Sequence, residues 1–594
     1  MALTSLDWII VAGSLLLAFT PALLLMRRAG RSTAEFFASG RAAPWWLIGV
    51  SMVATTFSTD TPNLVANLVR EGGVAANWAW WAFLLTGMTT VFFYAKLWRR
   101  IGVLTDLEFY ELRYSGAPAR WVRGFRALYL GLVFNVVIMA TVNLAAAKIA
   151  NVLLGWPIWQ TLVICSAINI AFAATSGLWG VLVTDFVQFG IAMTGSIAAA
   201  VYALRQPEVG GLDGLVARID GSTLRMLPDL GDWEVAVPIL IVPLAVQWWA
   251  TWYPGAEPGG GSYIAQRMLA ARSERDALSG TLLFNVAHYA LRPWPWILVA
   301  LASVLVFPTV GDIGRALPHV DPALLGHDMA YPAMLTFLPA GLLGLMVAGL
   351  LSAYISTIST HLNWGTSYLV HDWYRRFVRA DASEGHYVFV GRLATALLMV
   401  AAALFTLLID TARSGFDLLL SVGAGTGLLY LLRWYWWRIN AWAEIAAMAS
   451  SFLLAFTLFL AQRRGLALAS HVTLLGTVAI TTAVWLTVAF LTRPTEEETL
   501  ERFYRIARPA GPGWRRVRAA CPDTASPDDL STAWRGWIGG IALVYGALFG
   551  TGLALLGRPL AAAVPIVLAL AGAGVLTRVF PRLWRDTPVS ASAR

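Results

Sequence analysis

Residues 45–70 read WWLIGVSMVATTFSTDTPNLVANLVR. An apolar run stops at Phe57-Ser58-Thr59-Asp60-Thr61-Pro62-Asn63 and then resumes. A second stretch, VAVPILIVPLAVQWWATWYPGAEPGGG over residues 235–261, breaks in the same manner from Thr251 to Gly261. Four further apolar spans follow each. Interrupted segments at matching positions of two halves point to the binding site of a secondary transporter. Unwound backbone at membrane depth survives only where it is buried in protein or lines a cavity. The two breaks therefore mark where a solute and a coupling ion are expected to sit.

Composition agrees with this reading. The chain has 594 residues, 58% of them hydrophobic and 13% charged, with mean hydropathy +0.65. A soluble domain carries about 25% charged residues. Apolar runs of about 18 residues or more mark membrane spans, and they recur along almost the whole length. The net charge of +9 is no sign of nucleic acid, because the arginines fall in alternate short loops, as the positive-inside rule expects. The partners expected instead are membrane lipid and a small solute. The two cysteines, Cys165 and Cys521, have no metal-ligand spacing, and one falls in a span and one in a loop.

Fifteen spans are expected: 7–26, 43–70, 75–98, 122–152, 156–175, 178–204, 234–254, 280–307, 333–369, 388–410, 414–436, 440–462, 470–492, 534–556 and 558–580. At the N-terminus the positive charges Arg27, Arg28 and Arg31 follow the first apolar run instead of preceding it. This reads as an uncleaved span with its N-terminus outside. Alternate loops are then cytoplasmic. They hold Arg99/Arg100/Arg113/Arg120, Arg267/Arg272/Arg275, Arg375/Arg376/Arg379 and Arg578/Arg582/Arg585. Arg463/Arg464 is the exception, and an odd count places the C-terminus inside. The setting is a bacterial-type cytoplasmic membrane. The longest polar stretch, 493–533, reads as a cytoplasmic loop with a surface helix at Glu497–Ile506. It is too short for a catalytic domain. Polar surface helices are also expected at Leu104–Tyr114 and His371–Val378.

Within span 333–369, Ser352, Ser356, Ser359 and Asn363 recur at spacings of four, three and four and form one polar stripe, widened by Thr357 and Thr360. Such a stripe either binds helices together by hydrogen bonds and small-residue packing or supplies oxygen ligands to a hard cation. Carbonyls freed at the break near Ala54 and Phe57 complete the second reading.

The chain resembles the sodium/solute symporter family, which includes sodium–sugar, sodium–proline, sodium–pantothenate and sialic acid transporters. The motifs that carry the resemblance are Trp45-Trp46-Leu47-Ile48-Gly49-Val50-Ser51, Val183-Thr184-Asp185-Phe186-Val187-Gln188, Ile264-Ala265-Gln266-Arg267-Met268-Leu269-Ala270-Ala271-Arg272 and Ala353-Tyr354-Ile355-Ser356-Thr357-Ile358-Ser359. It covers roughly residues 1–440. The resemblance implies an all-α leucine-transporter-type fold: two inverted five-helix repeats, here 43–232 and 233–440. An N-terminal span and loop (1–42), two extra spans (441–492), the loop 493–533 and a C-terminal pair (534–594) surround them. It implies a sodium site made of carbonyls of Ala54, Phe57 and Ala353 and hydroxyls of Ser356 and Thr357. It also implies a possible second sodium at Asp185. Two-sodium members often have a hydroxyl where this chain has Ala353, so both stoichiometries stand.

The solute site follows from the same resemblance. Sugar-type members place polar groups at positions matching Thr61 and Thr251 and a lysine at Arg292. The acid they carry early in the next span is missing from Asn77-Trp78-Ala79-Trp80-Trp81. Ser58, Asp60, Trp81 and Tyr253 complete the expected set. An intramembrane arginine needs a partner. Either a solute carboxylate takes Arg292 bidentately, or Asp60 or Glu257 pairs with it internally. A carboxylate-bearing or polar organic solute is favoured over a neutral hexose. The Gly255–Gly261 loop is longer than the family's, and no strand or Lys-Ser/Thr accompanies it to make a phosphate cradle. The expected function is sodium-coupled symport by alternating access. Other readings are proton coupling, a membrane-embedded transferase and a sensor. No nucleophile–base pairing is apparent, and no signalling domain follows residue 580.

Overall fold

The computed structural model describes residues 3–29, 32–253, 255–409, 420, 423–465 and 468–583. Among these the chain is helical, with one isolated bridge between Ala43 and Ala271. Ten helices are long and apolar enough to cross a membrane, and three shorter apolar helices accompany them.

The first helix, α1 (Ser5–Ala29), is pinned at its start. The Asp7 carboxylate accepts from the backbone N–H groups of Gly341 and Gly344, each at 2.7 Å. The first broken span is α2 (Trp45–Thr56) and α3 (Asp60–Gly72). Only Phe57, Ser58 and Thr59 separate them, so the break is narrower than the polar stretch that announces it. A segmented region, 74–101, follows. Then come α4 (Gly116–Leu154), α5 (Ile158–Ala173) and α6 (Gly177–Leu204). The expected loop between 175 and 178 is no loop: Gly177, at φ 56°, is the whole of it.

The second broken span is α7 (Trp233–Ala250) and α8 (Ser262–Ala270). Pro238 and Pro243 lack N–H donors, and the helix widens to π-turns at Val237–Ile241 and Pro243–Gln247. Next is α9 (Glu274–Val306), followed by α10 (Leu342–Val378). Here the expected span 333–369 is displaced. Residues Ala330–Leu335 form a separate short helix, and Gly341 at φ 86° starts α10. The expected surface helix at His371–Val378 is the continuation of α10 as a π-helix. The apolar window ended where the arginines begin, but the helix itself runs on. The expected Leu104–Tyr114 helix is shorter, Glu108–Arg113.

The remaining helices are α11 (Glu384–Thr406), α12 (Gly427–Tyr435), α13 (Ala441–Arg463), α14 (Ser470–Leu491), α15 (Glu497–Ala507), α16 (Leu530–Leu555) and α17 (Pro559–Leu583). The first part of the expected span 414–436 lies largely outside the described residues. Close packing rests on small residues. A Cβ at Gly49 would sit 2.7 Å from the Gly280 carbonyl oxygen, so α2 and α9 touch backbone to backbone. A Cβ at Gly349 would meet Ala192 at 3.1 Å, which seats α10 on α6.

The segment 493–533 is folded onto one end of the bundle. Arg113 is fully buried and donates to the carbonyls of Arg433, Trp436 and Trp437 at 3.1–3.2 Å. The rings of Tyr114, Phe503 and Trp514 surround its guanidinium at 4.8–5.5 Å. Beside it, Arg100 bonds both Glu274 and Asp528. Burial acts to raise the Asp528 pKa, but Arg100 and Lys96 hold it below the usual carboxylate range. We expect Trp514→Ala to lower the melting temperature of the purified protein by a few degrees. It removes a desolvated cation–π contact worth about 2 kcal/mol and the indole bond to the Trp434 carbonyl. Cation affinity at the breaks should be unchanged. An unaltered melting curve would show that this segment does not brace the bundle.

Candidate functional site

The site begins where α2 ends. Phe57 leaves the helical region at φ −87°, ψ 80°, and its N–H still caps the carbonyls of Val53 and Ala54 at 2.9 and 3.0 Å. Hydroxyls take over the freed backbone beyond it. Thr59 donates to the Val142 carbonyl at 3.0 Å and Thr61 to the Thr56 carbonyl at 3.3 Å.

The polar stripe of α10 faces this break. Thr357 donates to the carbonyl of Thr55 at 2.8 Å and to that of Ala353 at 3.0 Å. Ser356 donates to Asp185 of α6 at 2.6 Å, and Ser51 of α2 donates to the other carboxylate oxygen at 2.5 Å. Asp185 thus joins three helices. Arg267 of α8 stands 3.9 Å from it and donates to Ser51 at 3.2 Å and to Thr360 at 2.7 Å. All of these side chains are buried. The contacts of the stripe mostly join helices: Asn363 bonds Gln266 of α8, Ser356 bonds Asp185 of α6 and Thr357 meets the break, while Ser359 bonds back to the Ser356 carbonyl. Of the five residues expected to hold sodium, Thr357 joins the Ala353 carbonyl to the Thr55 carbonyl beside Ala54, and Ser356 bonds Asp185.

A central cavity lies against this group. It holds ≈ 90 Å³ of water-accessible space. That is on the order of seven water positions, the scale of a compact solute. Thr357, Thr55 and Thr56 form one wall. Ser58, Asp60, Thr61, Tyr253 and Arg292, all expected from sequence, line it. Trp81 and Thr251 do not. Trp81 is fully buried against Trp78 and Phe549, and Thr251 turns its hydroxyl to the Gln247 carbonyl at 2.8 Å. Trp80 faces the cavity instead, stacked on Tyr289 with centroids 5.9 Å apart.

Arg292 is 2% exposed. Among the described residues no carboxylate lies within 4.0 Å of it, so the internal pairs with Asp60 and Glu257 do not form here, although Asp60 lines the same cavity. Its Nη1 donates to Thr56 Oγ1 at 3.0 Å, and its Nη2 lies 3.3 Å from His288 Nε2. Its Nε has no hydrogen-bond partner. A π-turn at Ala287–Leu291, with Arg292 N–H reaching the Ala287 carbonyl at 3.2 Å, sets both residues toward the cavity. Pro293 and Pro295 cause it, since neither offers an N–H to the preceding turn.

Sequence reasoning missed Thr56, Trp80, His288 and Tyr289 as lining residues. His288 had a signal, its i,i+4 spacing to Arg292. Trp80 and Trp81 had none, because the region 74–101 is too segmented to hold one helical phase.

A model of the sodium:solute symporter family matches residues 36–451. The sodium/glucose cotransporter of Vibrio parahaemolyticus is 23% identical over 447 residues, 72% of this chain and 80% of that protein. Sodium/glucose cotransporter 4 of Danio rerio is 25% identical over 454 residues, 70% of this chain and 65% of its own length. A solved Na⁺-coupled sialic acid symporter, substrate-bound and outward-open, is 18% identical with a TM-score of 0.66, covering 83% of this chain and 99% of that one. That likeness gives the fold: an all-helical membrane bundle with two inverted five-helix repeats and additional terminal helices.

Proposed function

We propose, from the premise that this chain belongs to the sodium:solute symporter family, that its cavity carries a compact solute bearing a carboxylate or another strong hydrogen-bond acceptor. The chain is a multi-pass membrane protein and imports a small organic solute by coupling to sodium. Arg292 supports this solute class. A guanidinium buried beside a cavity, with Asp60 lining the same cavity but no carboxylate within 4.0 Å among the described residues and an orphaned Nε, is costly unless something nearer completes its pairing. An incoming anion does so, and the planar fork fits a carboxylate.

A second reading is a neutral sugar. Relatives named as glucose cotransporters favour it, as does the stacked pair Trp80–Tyr289, a flat apolar wall of the kind a sugar face packs on. The missing acid in 77–81 counts against it. A thermal-shift screen of sugars, amino acids and carboxylates, each with and without sodium, separates the two. Replacing sodium by choline at fixed pH separates sodium from proton coupling.

The contact between Thr357 of α10 and the Thr55 carbonyl of α2 supports the following cycle. Sodium enters from outside and binds the carbonyls of Ala54, Phe57 and Ala353 and the hydroxyls of Ser356 and Thr357. It ties α2 to α10 and orders the cavity wall. Solute binds, the two sets of helices rock, and sodium leaves into the low-sodium cytoplasm. Linkage requires that solute raise sodium affinity by the factor with which sodium raises solute affinity. A bacterial-type cytoplasmic membrane, with the N-terminus outside and the C-terminus inside, fits the arginine-rich alternate loops.

Ser356→Ala and Thr357→Ala each remove one oxygen without harming helix propensity. Sodium affinity is expected to fall at least about tenfold in each, on the scale of a lost charged-group bond, while expression persists. Unchanged sodium dependence in both would remove the site from α10.

Asp185→Asn tests a second sodium. A Hill slope for sodium that drops toward one, in a variant that still folds, assigns an ion to Asp185. An unaltered slope with lower stability assigns it to bracing Ser51, Ser356 and Arg267.

For the solute, Arg292→Lys keeps the charge and loses the fork. Binding of an anionic solute should weaken markedly in this variant and be lost in Arg292→Ala. A neutral sugar that binds Arg292→Ala with undiminished affinity would overturn the assignment.

A further inference from the structure

The turn that presents the proposed sodium carbonyls is also the turn that holds the solute-facing arginine. Thr56 lies between Ala54 and Phe57. Its hydroxyl oxygen accepts from Arg292 Nη1 at 3.0 Å, lies 2.9 Å from the Val53 carbonyl and lies 2.9 Å from His288 Nδ1. The Val53 carbonyl also receives the Phe57 N–H at 2.9 Å and a long contact from Arg292 Nη1 at 3.5 Å.

Counting donors fixes the proton positions. Arg292 offers only donors. His288 Nε2, 3.3 Å from Arg292 Nη2, must therefore be the acceptor, so the ring is neutral with its proton on Nδ1. That proton goes to Thr56 Oγ1, and the single Thr56 hydroxyl proton goes to the Val53 carbonyl. Every contact then has one donor and one acceptor. The opposite tautomer, or a charged imidazolium, would set N–H against N–H at Arg292. The ring is held in place by Trp80 edge-on at 5.7 Å, Phe284 at 5.2 Å and Tyr289 at 4.3 Å.

We propose that Thr56 and His288 are positioning residues that join the Arg292 guanidinium to the last turn of α2, so that movement of Arg292 toward a solute re-aims the Ala54 and Phe57 carbonyls. The relay rests on the sodium site proposed above. It accounts for coupling between two ligands that need not touch. When an acceptor on the solute draws Nη1 away, the Val53–Thr56 turn loses a donor and the carbonyl pair is free to close on the ion.

The test uses sodium alone, so it stands apart from the identity of the solute. Sodium-dependent thermal stabilisation of the full-length detergent-purified protein gives a sodium affinity for each variant. Thr56→Val keeps the shape and loses the oxygen. His288→Phe keeps a ring and loses both nitrogens. Each frees the turn as a solute would and is expected to tighten sodium about fivefold, which is about 1 kcal/mol at 1.4 kcal/mol per tenfold. The double variant should be no tighter than either single, because one relay is broken twice. Thr56→Ser, which restores a hydroxyl, should return sodium affinity to within twofold of the parent. Where His288→Phe does not fold, His288→Asn replaces it in the cycle. Sodium affinity within twofold of the parent or weaker in Thr56→Val, or fully additive gains in the double variant, overturns the relay. Loss of sodium binding in Ser356→Ala together with an intact response in Thr56→Val would overturn the relay and leave the sodium site standing. Thr56→Val at parental affinity with a sodium response equally insensitive to Ser356→Ala would overturn both.

Discussion

Two membrane helices are unwound at their middles, and the backbone polar groups this frees must be satisfied without bulk water. The molecule solves the problem differently at each break. At the first, side-chain hydroxyls do it: Thr61 to Thr56 and Thr357 to Thr55. A hydroxyl that donates to a carbonyl keeps lone pairs of its own, so the place stays rich in oxygen acceptors. At the second, backbone and indole groups do it. Trp252 N–H meets the Gly423 carbonyl, Gly425 N–H meets that of Ala250, and Trp98 Nε1 meets that of Gly259. Glycines let the chain pack there: Gly259 and Gly260 have φ near 77°, and a Cβ on Gly260 would sit 2.9 Å from Met268. Both breaks border the cavity, the first through Ser58, Asp60 and Thr61 and the second through Tyr253 and Gly255. The ion is proposed at the first, where hydroxyls of α10 meet its freed carbonyls.

The buried charges follow the same logic of partial satisfaction. Asp185 and Arg267 are both fully buried yet stand 3.9 Å apart, with Ser51 bonded to each of them. Removing one member of such a pair strands the other at a cost of several kcal/mol. A carboxylate held by two hydroxyls and a distant guanidinium is stable enough to persist and loose enough to exchange partners. Arg292 is held still more loosely, by one hydroxyl, one imidazole nitrogen and a long carbonyl contact. Tightly paired charges, such as Lys148 with Asp328 at 2.9 Å, lie away from the cavity lining.

What could be read from residues alone was whatever leaves a local signature. The breaks at Phe57 and Thr251, the polar stripe of α10 and the surface helix at 497 each show in composition or spacing over one or two turns. Helix length and phase were less legible. The end of α10 was misplaced because hydropathy falls at Arg375 although the backbone hydrogen bonds run on. The Trp80/Trp81 choice failed because the 3₁₀ stretch Val74–Asn77 and the turn after Trp81 leave no fixed 100° step. Of the Arg292 partners, Thr56 was missed because it comes from a different helix, and His288, four residues earlier on the same helix, because it carries no formal charge to pair. Asp60 and Glu257 were chosen by charge, whereas the structure offers Thr56 and His288, brought near by a π-turn that two prolines impose. The packing of 493–533 around Arg113 was invisible, since it depends on Phe503 and Trp514 meeting residues almost four hundred positions earlier.

These pieces bear on how a bundle of this kind can be bistable. The last turn of α2 accepts from several donors at once. Val53 receives Phe57 N–H and the Thr56 hydroxyl, Thr55 receives Thr357, and Thr56 receives Arg292. A cation at the proposed site would compete with the Phe57 N–H for the Ala54 carbonyl. A solute drawn to Arg292 withdraws one of the turn's donors. Each ligand therefore lowers the cost of the arrangement the other needs, which is the free-energy content of symport. Such competition requires a helix end at membrane depth, which an unbroken α2 would not have.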